Sequence, residues 1–126
     1  MKSLIAARIG YYSAFIAAAA IAGYGIVQLL QVGGVLTFPA DEILIYATSL
    51  CIAPPFLLAM MSLHHVAPNS KSPWSHAALL FAVMYAVFAI FVYVVQLGVA
   101  VPRSIRGDTA GIQVLVLTQH SFFWTL

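Results

Sequence analysis

Three histidines gather in one stretch of this 126-residue chain: His64 and His65 are adjacent, and His76 follows after ten intervening residues. Imidazoles on neighbouring helices could ligate a transition metal or a haem iron. No Cys or carboxylate accompanies them, and haem ligands usually lie inside a bundle rather than at its loop, so interfacial histidines beside lipid headgroups are the plainer reading. Pro54-Pro55 is the second unusual feature. Each proline lacks an N–H and crowds the carbonyl four residues back, so Leu50 and Cys51 lose their helical partners. In hydrocarbon those carbonyls need a side chain, water or another helix, and Thr48 and Ser49 are the local candidates. A helix kink at Pro54 and Pro55, bending by more than about 20°, is expected. It would serve either a midplane substrate site or simple closure of a bundle.

Gln28, Gln31 and Gln96 are uncharged polar groups within long apolar runs. They are expected as an intramembrane hydrogen-bonded pair between helices, or as the lining of a polar cavity. The neighbours Asp41 and Glu42 point apart on a helix and do not flank one bond. Gly33-Gly34 has no following lysine and is not a phosphate loop. Cys51 has no cysteine to pair with and is expected to pack as a small residue. The sequence contains no nucleophile–base arrangement and no zinc motif, so no catalytic residue and no cofactor are expected.

These groups sit in a chain that is 63% hydrophobic, with only five Lys or Arg and three Asp or Glu. Soluble domains are about 45–50% apolar and about 25% charged. Eight charges cannot solvate a chain of this size, so a soluble domain and intrinsic disorder are both excluded. A net charge of +2 makes no basic face for nucleic acid. The expected partner is the lipid bilayer, together with helix–helix contacts to other membrane subunits.

The charges fall at Lys2, Arg8, Asp41, Glu42, Lys71, Arg103, Arg106 and Asp108. They leave uncharged runs of 32, 28, 31 and 18 residues. About 20 apolar residues cross a bilayer core as a helix. The expected fold is therefore all-α: an integral membrane helical bundle with three full transmembrane helices, about 9–32, 43–63 and 75–99, plus a fourth partial or interfacial helix at about 111–126. All four belong to one transmembrane domain. Residues Pro102–Gly107 read as a polar link, and Ala67–Pro73 as the clearest loop. The apolar N-terminal run is about twice the length of a signal-peptide core, which favours an uncleaved first helix over cleavage at Ala20-Ile21-Ala22.

Lys2 and Arg8 before the first helix, against Asp41 and Glu42 after it, place the N-terminus in the cytoplasm of a cell with an inner (plasma) membrane. Arg103 and Arg106 argue the other way. Small residues at four-residue spacing, Gly10, Ala14, Ala18 and Ala22 in the first helix and Ala78, Ala82 and Ala86 in the third, are the expected contact faces. Tyr11, Tyr12, Tyr46 and Trp74 read as interfacial anchors, whereas Tyr85 and Tyr93 lie deeper. The similarity of Ile26-Val27-Gln28-Leu29 to Val94-Val95-Gln96-Leu97 is of a kind that chance supplies in such compositions.

Ala53-Pro54-Pro55-Phe56-Leu57, the His64-His65 pair and Pro102-Arg103-Ser104 together resemble a group of small bacterial multi-pass membrane proteins. The resemblance covers about residues 40–126, and its motifs are of low specificity. It implies a multi-pass membrane fold and no particular activity. It also implies a longer chain, and Phe122-Phe123-Trp124 arriving at the very end is what a C-terminally truncated copy would show. The functional readings are an interaction or structural subunit, a small-solute transporter component, or a haem- or metal-binding membrane protein.

Overall fold

A computed structural model describes residues 2–116, and the described chain is all-α. Helix α1 spans Lys2–Val32, α2 Ala40–Val66 and α3 Ser72–Val95. A 3-10 turn at Asn69–Lys71 leads into α3, which continues through a π-helical turn at Gln96–Ala100 into α4, Val101–Ile105. Three stretches are long and apolar enough to cross a bilayer: Leu4–Val32, Ala40–Val66 and Asn69–Ile105, with mean hydropathies of 1.8, 2.0 and 2.7. Each overlaps one of the three longest charge-free runs, 9–40, 43–70 and 72–102.

The boundaries differ from expectation for identifiable reasons. Helix α1 begins at Lys2 and not near residue 9, because Lys and Arg are good helix formers and a charge does not stop a helix. The third span carries on past Pro102. That proline cannot donate to the preceding turn, and the chain responds by widening: Val101 N–H reaches the Gln96 carbonyl, five residues back. The helix then ends at Gly107 (φ 72°), whose N–H donates to Ser104 O at 3.1 Å while Asp108 N–H donates to Arg103 O at 3.1 Å. This is a Schellman cap. So Pro102–Gly107 is a helix end, not a link.

The same cap explains Gly33-Gly34. Gly34 (φ 71°) donates to Gln31 O, and Val35 to Leu30 O, both at 2.9 Å. Of the expected fourth helix, residues 111–115 form turns; residues 117–126 lie outside the described residues.

Helix α2 stands between the other two, and α1 and α3 each pack against it. The antiparallel registers are fixed by contacts at both ends: Gly10 lies against Ser62 and Gln31 against Asp41 on the α1 side. On the α3 side Tyr46 meets Tyr93, Phe56 meets Tyr85 and His64 meets Ser75. Pro54 and Pro55 lie inside α2, which runs as one continuous α-helix. Thr48 and Ser49 do not serve the carbonyls those prolines strand. Thr48 Oγ is 2.7 Å from Leu44 O and 3.1 Å from Ile45 O instead.

The packing seams run at alternating three- and four-residue steps. In α1 the seam is Ala6, Gly10, Ser13, Ala17, Ala20, Tyr24, Val27 and Gln31, all less exposed than their neighbours on the opposite face. In α3 it is Ser75, Leu79, Ala82, Ala86, Ala89, Tyr93, Gln96 and Ala100. Of the expected stripes only Gly10, Ala82 and Ala86 lie on a seam; Ala14, Ala18, Ala22 and Ala78 are exposed. A strict four-residue step rotates about 40° further round the helix each time, whereas alternating steps average 3.5 residues and hold one face. Cys51 does not pack either and is exposed.

The α1–α2 approach is closest at Gly10, where an added Cβ would sit 2.6 Å from Ser62 Cβ. Gly10→Val should lower stability by about 1–3 kcal/mol through overpacking, read as a fall in melting temperature in detergent. Gly25→Val, where a Cβ meets nothing within 4 Å, should leave it nearly unchanged. Equal effects would show that the approach at Gly10 does not hold the pair.

Candidate functional site

Polar groups concentrate at the two ends of the helix row. At the α1–α2 turn, Gln31 Nε2 donates to Asp41 Oδ2 at 2.9 Å, bridging the last turn of α1 to the first turn of α2. Asp41 and Glu42 there face the positive end of the α2 dipole. Next along α2, Tyr46 is buried against Tyr93, with ring centroids 6.1 Å apart. It is a packing residue between α2 and α3, not the interfacial anchor its position near a helix start suggests.

One turn beyond Tyr93, Gln96 is fully buried and its Nε2 donates to the Leu115 carbonyl. That bond draws the segment after α4 back onto the π-helical turn, where Ile112 is also buried. The expected glutamine pair between the first and third helices is therefore replaced. Gln31 turns to α2, Gln96 turns to its own C-terminal segment, and Gln28 is exposed. The reason is geometric, since α2 separates the two helices that carry them.

Three buried side-chain oxygens in this half of the row have no partner among the described residues: Asp41 Oδ1, Ser49 Oγ and Gln96 Oε1. An unmet buried polar atom costs about 1–3 kcal/mol.

At the opposite end the α2–α3 hairpin brings His64 and His76 together, with ring centroids 4.3 Å apart and planes at 67°. His64 Nδ1 lies 2.8 Å from Ser75 Oγ, and His76 Nδ1 lies 2.9 Å from the Ser72 carbonyl oxygen. His65 is not part of this pair. It lines a groove of about 440 Å³ between α1 and α2 with Ile5, Ile9, Leu58 and Met61. Adjacent residues on a helix lie about 100° apart, which is why neighbours in sequence serve different helices here. Among the described residues no group of three or more His, Cys, Asp or Glu gathers to hold a metal. Trp74 and the edge-to-face pair Tyr11–Tyr12, centroids 5.7 Å apart, are exposed.

The fold and these two polar ends define an all-α chain with three helices able to span a bilayer. No family model matches the chain, and no curated protein or solved structure matches it either.

The Gln31–Asp41 bond links α1 to α2 through a charged side chain. A double-mutant cycle with Gln31→Leu and Asp41→Ala should give a coupling of about 1 kcal/mol, within the range for interhelical hydrogen bonds in membranes. Thermal unfolding in detergent measures it, and additive single effects would show the bond to be energetically idle.

Proposed function

We propose that this chain is an inner-membrane subunit that acts through helix–helix contact with other membrane-embedded protein, its N-terminus in the cytoplasm. The observation that carries this reading is the outward face of α3. Opposite its small-residue seam, Phe81, Met84, Phe88 and Phe91 are all more than half exposed. They recur at alternating three- and four-residue steps and so form one continuous stripe along the helix, a face that a partner helix can cover. A row of three helices encloses no path for a solute, so the same face is also where further helices would have to add if a transport pathway were built. Photo-cross-linking from benzoylphenylalanine at Phe88 in native membranes should give a discrete protein adduct. Lipid adducts alone would overturn the proposal.

Orientation is supported by charge at the two ends. The antiparallel row puts the α1 start and the Asn69–Lys71 turn on one side, with Lys2, Arg8 and Lys71. Asp41, Glu42, Arg103, Arg106 and Asp108 belong to the other side. Basic residues retained in the cytoplasm favour the first side inward. In a Cys51→Ser background, Ala40→Cys should react with an impermeant thiol reagent added outside intact cells, and Asn69→Cys only after permeabilisation. The reverse pattern would invert the topology.

A further inference from the structure

We propose that His64 and His76 form a two-imidazole binding site for a divalent transition metal, Cu²⁺ or Zn²⁺, at the water-facing end of the α2–α3 hairpin. The argument begins with the ring nitrogens already in use. The Ser72 carbonyl can only accept, so the His76 Nδ1 beside it at 2.9 Å carries the proton and the ring's lone pair is left at Nε2. Ser72 Oγ lies 3.3 Å from the same nitrogen and adds a second oxygen there. His64 Nδ1 is held at 2.8 Å by Ser75 Oγ, which accepts from it in the tautomer that frees Nε2. Metal-ligating imidazoles are oriented in this way, with the outer N–H held by a backbone carbonyl or another oxygen and the inner nitrogen left for the ion.

Ring spacing fits the same purpose. Two imidazoles sharing a tetrahedral ion through nitrogens at about 2.0–2.1 Å have centroids roughly 5 Å apart. The observed 4.3 Å needs the rings to part by less than about 1 Å. The hairpin limits larger excursions, since Pro68 precedes the 3-10 turn and a proline opens α3. His76 is exposed, so an ion enters from water and keeps water as its remaining ligands. Imidazole donors without thiolate or carboxylate select copper and zinc over magnesium, calcium or manganese. His65 points into the α1–α2 groove and takes no part.

The test uses the full chain in nanodiscs, titrated with CuCl₂ or ZnCl₂ by calorimetry, with the Cu²⁺ form examined by electron paramagnetic resonance. One equivalent should bind, and the spectrum should show splitting from two imidazole nitrogens. His64→Ala and His76→Ala should each weaken binding by about tenfold or more and remove one nitrogen from the splitting. His65→Ala should change neither. His76 is exposed, so His76→Ala carries the test alone if His64→Ala does not fold. Absence of binding to the parent chain, unchanged affinity and splitting in His76→Ala, or equal weakening in His65→Ala would each overturn the site.

Discussion

Lipid tails are as apolar as leucine, so burying one large side chain against another gains a membrane helix almost nothing. What remains is close approach, and this structure depends on it. The buried apolar residues are mostly alanines, Ala17, Ala53, Ala82, Ala86 and Ala100, while Phe15, Leu29, Phe81, Phe88 and Phe91 are exposed. At Gly10 the backbone of α1 comes so near Ser62 that even a methyl group would collide. Dispersion between closely packed backbones, small per atom but summed over three turns or more, replaces the hydrophobic drive of a water-soluble core. The consequence is an inverted distribution, small inside and large outside.

Central placement of α2 follows from the same constraint. It offers one seam to α1 through Ser62 and Asp41, and another to α3 through Tyr46, Phe56 and His64. The flanking helices have one small-residue seam each and spend it on α2. Hydrogen bonding is then added at the ends. Gln31 ties α1 to α2 and Gln96 ties the C-terminal segment to the third span. Pro102 and the π-helical turn act together with that second bond: Gln96 and Ala100, at the two ends of the widened turn, are both buried.

Much of this was legible in the sequence, for physical reasons that also mark where legibility ended. Charges are expelled from hydrocarbon, so eight of them sufficed to locate three spans. Helix ends were less readable because they depend on capping geometry. Gly34 and Gly107 close Schellman motifs, yet Pro102 looked like the stop and is absorbed by a π-helical turn. Gly10, Ala82 and Ala86 were recognisable as contact residues, but the four-residue template that found them also admitted Ala14, Ala18 and Ala78. A single helix contains small residues on several faces, and only the neighbour selects among them. Tyr46 misled in the same way, since distance from a helix end says nothing about which side faces another helix. In the candidate site, the approach of His64 to His76 was visible from the short loop between their helices, while the departure of His65 required knowing where α1 lies.

That departure expresses a general property of a helix placed between two others. Consecutive residues differ by about 100° in direction, so an adjacent pair on α2 can be divided between its neighbours. Asp41 bonds to α1. His64 contacts α3, while His65 lines the groove on α1. The His64–His65 doublet, which looks like one functional unit in sequence, is two separate contacts in space. The chemically useful partner of a residue on α2 is therefore found across an interface, as His76 is for His64 and Gln31 is for Asp41, and not beside it in the chain. A ligand held between two helices in this way also couples them: binding at His64 and His76 fixes the α2–α3 hairpin at the one end where small-residue packing has given way to serines, loop and water.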